Sequence, residues 1–418
     1  MRTGVRAALL AGATVAALGL GGLNAGGAAA APCEGGNIAG AGSSLQRVAM
    51  EKVWIPTFQT SVCPGLSVTY NPIGSGAGLK EWNSDGALGK LNTNTHFIGS
   101  DDAPNKGQIE NITKVAGGAS LLTIPVAQTS IAFIANPPAG CTVTEITNRQ
   151  LERTFRGVLK NWSELDTAEG TCNSAITRIV RKDSSGTTYQ VKNYFARMFG
   201  TALPCQGLTW LEARAINNAA GEPNINWPET CEGNVLSAVE RSTSTGGGAL
   251  VDKVNATAGS IGYAATPDAE SHSAKVILSV QNNGQVPTSE AEFASPTIGE
   301  EANCLTTQYE VPLGGRQKAG ESGLNIDWSQ VFGAHPIAGG EAYPLCTLTY
   351  QLAFRGYKAA GFKFVNEATV RDFIQGYETA TLGQEGMETH FYAPLPSATE
   401  ASKNVRGAAQ FAANKIQY

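Results

Sequence analysis

What the 418-residue chain lacks narrows its chemistry first. It has no C-x-x-C pair, no H-E-x-x-H, no G-x-S-x-G elbow and no Walker loop. Zinc, thiol-redox, serine-hydrolase and nucleotide-hydrolysing readings therefore find no motif to rest on. The four histidines, His96, His272, His335 and His390, are scattered, whereas an enzyme needs a nucleophile with a base beside it. His96, just ahead of Phe97-Ile98, reads as a strand residue. Charged residues are only 16% of the chain, the net charge is −5 and no basic cluster is present, which argues against a nucleic-acid partner. Any anion bound here is held by local groups, because the overall field opposes it. Past residue 31 no apolar stretch approaches the roughly 18 residues that cross a bilayer. There is no internal repeat.

What is present begins with an export signal over residues 1–31: Arg2 and Arg6, an apolar run from Ala8 to Leu20, then small residues ending at Ala31. There is no twin arginine. Pro32 occupies the position before Cys33 where a lipoprotein signal requires a small residue, so a structural role for Cys33 is preferred to a lipid anchor. Eight cysteines are an even count for an oxidising compartment. Four disulfides are expected, and neighbour pairing (33 with 63, 141 with 172, 205 with 231, 304 with 346) is the simplest arrangement, although sequence does not fix it. The remaining length suits two domains with separate cores. We expect residues 32–126 with 344–418 to form a discontinuous first domain, and 127–343 a second, with a long polar insertion near 280–342.

Strands alternate with helices, which indicates α/β architecture with ligands at the C-terminal ends of strands. Strands are expected at Leu66 to Tyr70, Thr95 to Ile98, Ile176 to Val180, Gly259 to Tyr263 and Tyr343 to Phe354, with helices at Val191 to Phe199 and Glu367 to Tyr377. Ser120 to Ala135, interrupted by Pro125, reads as strands leaving the first domain for the second. A helix after Ser44 is expected to kink or end at Pro56. Residues 205–234 look like a stapled loop. Four turns rich in glycine or hydroxyl groups stand out: Gly40-Ala41-Gly42-Ser43-Ser44, Gly74-Ser75-Gly76-Ala77-Gly78, Gly99-Ser100-Asp101-Asp102-Ala103-Pro104, and Arg181-Lys182-Asp183-Ser184-Ser185-Gly186-Thr187-Thr188.

If these turns converge, a ligand meets hydroxyl and backbone donors from Ser44, Leu45, Ser75, Ser185, Gly186 and Thr187, one cation, Arg181, and one acceptor, Asp102. Helix N-termini and planar arginine forks both favour tetrahedral anions. A carboxylate beside an anion is unfavourable unless the ligand carries a proton. Phosphate near neutral pH keeps a P–OH that Asp102 can accept; sulfate keeps none, and an unmatched buried polar group discriminates by penalty. Asp183 would orient the guanidinium from behind. Blander readings stand beside these: an ordinary capped helix with Arg181 in a surface ion pair, and Asp102 and Asp183 as turn aspartates.

Taken together in order, the four turns resemble the phosphate-binding proteins of bacterial ABC-type phosphate uptake systems, a branch of the two-domain periplasmic binding proteins. Lys160-Asn161-Trp162, Gly259-Ser260-Ile261-Gly262-Tyr263 and Tyr392-Ala393-Pro394-Leu395-Pro396 add lesser echoes. The resemblance implies two α/β domains, each a mixed central sheet flanked by helices, joined by two crossing strands and closing over the ion. It implies that Ser44 stands where the family has threonine, that Leu45 replaces phenylalanine as a backbone donor, and that Ser75, Asp102, Arg181, Ser185, Gly186 and Thr187 match directly. It further implies no cofactor, no metal and no catalysis, a monomer outside the cytoplasm, and an ABC permease as partner. The chain's extra length, its eight cysteines and the unconvincing anchor cysteine depart from the family. Readings left open are a secreted receptor or scavenger for another oxyanion or a phosphorylated solute and, as a poor second, a secreted phosphatase.

Overall fold

The C-terminal ends of short, buried strands set the whole arrangement. The computed structural model describes residues 33–200, 210, 227, 238–304, 326, 328, 341–397 and 404–417. The export segment, the Cys205–Cys231 pairing, nearly all of the loop at 205–234 and much of the 280–342 segment lie outside the described residues.

Ile38–Gly42 (β1) runs into a helix over residues 44–62 (α1). Of the two outcomes expected at Pro56, a kink or an end, the end is excluded: α1 continues to Val62. Proline lacks an N–H and crowds the preceding turn of an α-helix. Here it begins a short α-helical turn between two π-turns, Met50–Trp54 and Phe58–Val62, whose wider winding accommodates the ring. Cys63 closes the helix with its N–H on Phe58 O at 2.7 Å.

Val68–Asn71 (β2), Ser75–Glu81 (α2), Phe97–Ser100 (β3) and Lys106–Val115 (α3) follow. Leu121–Asn136 (β4) is one continuous strand, not a pair broken at Pro125. Pro125 lies opposite Tyr350, where the register shifts between Thr349 and Tyr350; a bulge is where a strand tolerates proline. Beyond it come Asn148–Phe155 (α4), Thr177–Val180 (β5), Gly186–Phe199 (α5), Ala238–Arg241 (β6), Gly247–Ala256 (α6), Ser260–Ala265 (β7), Thr266–Ser271 (α7), Cys346–Phe354 (β8) and Phe364–Phe373 (α8).

The strands join in the order β2-β1-β3-β8-β4-β7-β5-β6. The outer pairs are parallel: β1 with β2 and β3, and β5 with β6 and β7. In the middle, β8 pairs antiparallel with β3 and β4, and β7 antiparallel with β4. Each parallel group thus ends its strands toward one region. The long strands β4 and β8 are the two crossing connections.

Buried apolar side chains form two clusters. One gathers Trp54, Phe58, Trp82, Phe97, Phe354 and Phe373; the other gathers Phe133, Phe155, Phe195, Trp210, Trp227 and Tyr263. The change of cluster falls along β4, between Ala127 and Ile131. Disulfides Cys33–Cys63, Cys141–Cys172 and Cys304–Cys346 follow neighbour pairing.

The second cluster centres on Phe155, whose ring centroid lies 5.7 Å from those of Phe133 and Phe195, 5.8 Å from Trp227 and 5.9 Å from Tyr263. Phe155→Ala is expected to cost about 3–5 kcal/mol in denaturant unfolding. A loss near zero would mean that these rings do not carry the packing of that half.

Candidate binding site

Four helices begin at one place. Ser44, Ser75, Gly186 and Gly247 are the first residues of α1, α2, α5 and α6, and each helix follows the C-terminal end of a strand. The N–H groups of such first turns lack intrahelical partners and make a region of positive potential.

Close backbone approach is what lets them meet. Gly74 precedes α2 with φ of +96°, and a Cβ there would lie 2.6 Å from Asp183 Oδ2. Left-handed backbone and a blocked Cβ position both require glycine. At Gly186 a Cβ would lie 2.8 Å from Asp101 Cβ, 2.9 Å from Ser75 Oγ and 3.0 Å from Asp102 N. The start of α5, whose side chains pack in the second cluster, is thereby pressed against the ends of β3 and α2, which belong to the first.

Arg181 follows β5 and is 2% exposed. Its Nε donates to Asp183 Oδ1 at 2.8 Å, its Nη2 donates to Asp183 Oδ2, and the same Nη2 reaches Ser44 Oγ at 3.2 Å. Burial opposes the guanidinium charge, but Asp183 outweighs it and holds the pKa above its ordinary value. Ser44 Oγ also accepts from Gly247 N at 3.2 Å, so the hydroxyl's own proton remains as a donor. Ser185 caps α5 by accepting from Thr188 N at 3.3 Å, and Thr187 is buried in the same first turn. Leu45 N donates to Ser43 Oγ at 3.0 Å, while its side chain packs in the first cluster.

The two neighbouring aspartates after β3 separate. Asp101 turns to the hydroxyls: its Oδ1 accepts from Ser43 Oγ and, at 2.8 Å, from Thr349 Oγ1, with Ser75 Oγ 3.4 Å from its Oδ2. Burial pushes its carboxyl up to about 6, against the pull of those hydrogen bonds and of the Arg181 charge. Asp102 is 3% exposed and its Oδ2 has no hydrogen-bond partner. Burial first, and then the Asp101 charge, push it up to about 8, against the attraction of Lys192 on α5. Burial in turn draws the Lys192 ammonium well below its ordinary value, with Asp102 opposing.

The structure thus brings Ser44, Ser75, Arg181, Asp183, Ser185, Gly186 and Thr187 into one neighbourhood. It turns Asp101 toward Arg181 and Ser75, while Lys192 is the cation acting on Asp102. Sequence reasoning passed over Ser43, Asp101, Thr349 and the start of α6. The last carried a signal: Ser242-Thr243-Ser244-Thr245-Gly246-Gly247-Gly248 is a fifth hydroxyl- and glycine-rich turn between a strand and a helix. Thr349 carried none, because a β-bulge aims it.

A chain in which two α/β halves, joined by two crossing strands, meet in a cage of helix starts has the architecture of a solute-binding protein. A PBP superfamily domain matches residues 27–375, and the chain belongs to that superfamily. Phosphate-binding protein PstS 2 of Mycobacterium tuberculosis H37Rv is 26% identical over 417 residues, 96% of each chain. A phosphate-binding protein of Stenotrophomonas maltophilia shares the fold at a TM-score of 0.60 and 20% identity, over 90% of this chain and 93% of that one. The ancestral soluble variant of the human phosphate binding protein does so at 0.63 and 17%, over 91% and 99%.

A carboxyl that gains affinity for its proton on folding holds that proton, in the folded chain, at pH values where the unfolded chain has released it. For Asp102 that window runs from the ordinary value of 3.8 to about 8, and unfolding free energy falls as pH rises through it. Asp101 adds a similar slope up to about 6. Urea unfolding of ligand-free Asp102→Asn should match the parent near pH 4 and show the variant more stable at pH 8. The same pH slope in both proteins would contradict this placement of Asp102.

Proposed function

We propose that the protein is an extracytoplasmic receptor that closes over one inorganic phosphate and delivers it to an ABC permease. The observation that carries this reading is the constellation of Arg181, Ser44 and Asp101: an oriented cation, convergent hydroxyl and helix-start donors, and the Asp101 carboxyl among them. Asp101 is assigned the acceptor role for the ligand's P–OH, and Asp102 stands behind it against Lys192. The remaining ligands are Ser44, Ser75, Arg181, Ser185, Gly186 and Thr187, with the Leu45 N–H, which already donates to Ser43 Oγ, assigned as a donor shared with the ion, and Asp183 holding the guanidinium.

The relatives named as phosphate-binding proteins support the choice of ion, and the three disulfides support an oxidising compartment. The leader at residues 1–31 would direct export. Among the described residues no helix is long and apolar enough to cross a membrane. The moving bodies we assign are 32–126 with 344–418, and 127–343, with β4 and β8 as the hinge strands. The receptor acts as a monomer and catalyses nothing; no release of p-nitrophenol from its phosphate ester is expected.

Titration calorimetry of the purified protein should show tight binding of inorganic phosphate, weak binding of sulfate and weak binding of a phosphate ester. Equal affinity for sulfate would redirect the reading to another oxyanion. Arg181→Ala should weaken phosphate binding by about 2–5 kcal/mol, as for other truncated buried charge pairs. An affinity within a factor of about two of the parent would mean that Arg181 does not touch the ion.

Asp101→Asn should narrow the gap between phosphate and sulfate, and Asp102→Asn should narrow it less. The reverse order would restore Asp102 to the acceptor position.

A further inference from the structure

A second bond between the halves lies at the rim of the cage. Arg47, one turn into α1, donates through Nη2 to Asp268 Oδ1 at 2.9 Å and to His272 Nε2 at 3.2 Å. Its Nη1 lies 3.6 Å from Glu51. His272 Nδ1 is 2.9 Å from Asp252 Oδ1, so the ring donates outward to Asp252 and accepts from Arg47. Val48 and Ala49, next to Arg47, pack in the first cluster; Ala269, next to Asp268, packs in the second. Asp268 is 2% exposed and Arg47 about one quarter exposed. A cavity of about 280 Å³ runs along this bond, with Ser44 and Gly246 among its walls and Arg47, Asp252 and His272 among the others. The cavity that Arg47 lines therefore also reaches Ser44, one of the residues assigned to the ion.

We propose that Arg47 is a retention residue: its bond to Asp268 and His272 latches the two halves at the mouth of the cage and sets how long a captured ion stays. The inference rests on the phosphate-receptor reading for the identity of the ion, but not for the latch itself. A bond made only after closure acts on release and not on encounter. Arg47 meets Asp268 only when the halves are together, and its removal takes from buried Asp268 the cation hydrogen-bonded to it, leaving the Arg181 charge as a more distant one.

The test is rapid-mixing measurement of inorganic phosphate association and release on the full processed chain. Arg47→Met and Asp268→Asn should each speed release by about tenfold or more, with association within about threefold of the parent. The double variant should be no faster than the faster single one, because the two side chains act as one unit. Arg47→Lys should recover most of the retention. Release at the parent rate from Arg47→Met would overturn the latch, and that variant stands alone should Asp268→Asn not fold. If the parent protein binds no phosphate, the receptor reading fails separately. Small-angle scattering of the ligand-free protein then decides the latch: a larger radius of gyration for Arg47→Met supports it, and an unchanged radius overturns it.

Discussion

A guanidinium that is 2% exposed is the constraint around which the binding cleft is arranged. Withdrawing such a charge from water costs several kcal/mol, and the cost is recovered only if a partner meets it in good geometry. Asp183 does so with both oxygens, two residues along the same turn. The pairing is local, so it forms with β5 and α5 whether the halves are apart or together. It also fixes the plane of the fork and leaves Nη2 directed at Ser44 across the cleft. Arg181 is therefore fixed by its own turn, independently of the residues that meet it from the first cluster.

How the other half arrives is a matter of backbone more than side chain. Gly186 touches the Asp101–Asp102 turn and Ser75 at distances no Cβ would permit, and Gln190 Nε2 donates to Asp101 O at 2.9 Å. Gly76 N meets Ser184 O at 3.3 Å. These are contacts between loops that end strands and begin helices, elements with little freedom once the sheets on either side are packed. The parallel strands supply the alignment: β1 and β3 in one half, β5 and β6 in the other, each ending where a helix starts. The exception is Thr349 of β8, which lies beside the register shift where β4 carries the extra residue Val126, and donates to the carboxyl that the hydroxyls surround.

The architecture was legible because hydrophobic runs of strand length alternate with helical spacing, and because turns rich in glycine and hydroxyl groups mark the junctions. Element ends were less so: the strand expected from Thr95 is Phe97–Ser100, and the helix expected from Glu367 starts at Phe364. Neither proline ends its element, and for one reason. Pro56 and Pro125 lack a donor, but a π-turn in one case and a bulge in the other change what the backbone asks of them. At the site, residue types were readable and orientation was not. Adjacent residues leaving a strand point in opposite directions, so of Asp101 and Asp102 only one could face the hydroxyls, and nothing in the sequence said which. The contribution of α6 was passed over although Thr245-Gly246-Gly247 has the same composition as the other turns.

A cage proposed to hold an anion beside the adjacent buried acids Asp101 and Asp102, in a chain of net charge −5, would defeat itself if both were ionised. Neighbouring acids resist that outcome, since the charge on one raises the pKa of the other and the two titrate as a coupled pair. Here the surroundings break the symmetry. Asp101 has Ser43, Thr349 and the Arg181 charge to favour its ionised form. Asp102, with an oxygen no donor reaches, has only Lys192 to oppose burial and the charge of Asp101. The negative charge is therefore concentrated on the acid that faces the donors, where a proton on the ligand can meet it, and the acid behind retains its own proton. On the phosphate-receptor reading the ion would then meet one ionised carboxyl of this adjacent pair and not two, Asp183 and Asp268 being held by Arg181 and Arg47, and a protonated tetrahedral anion would be preferred to a fully ionised one of the same shape.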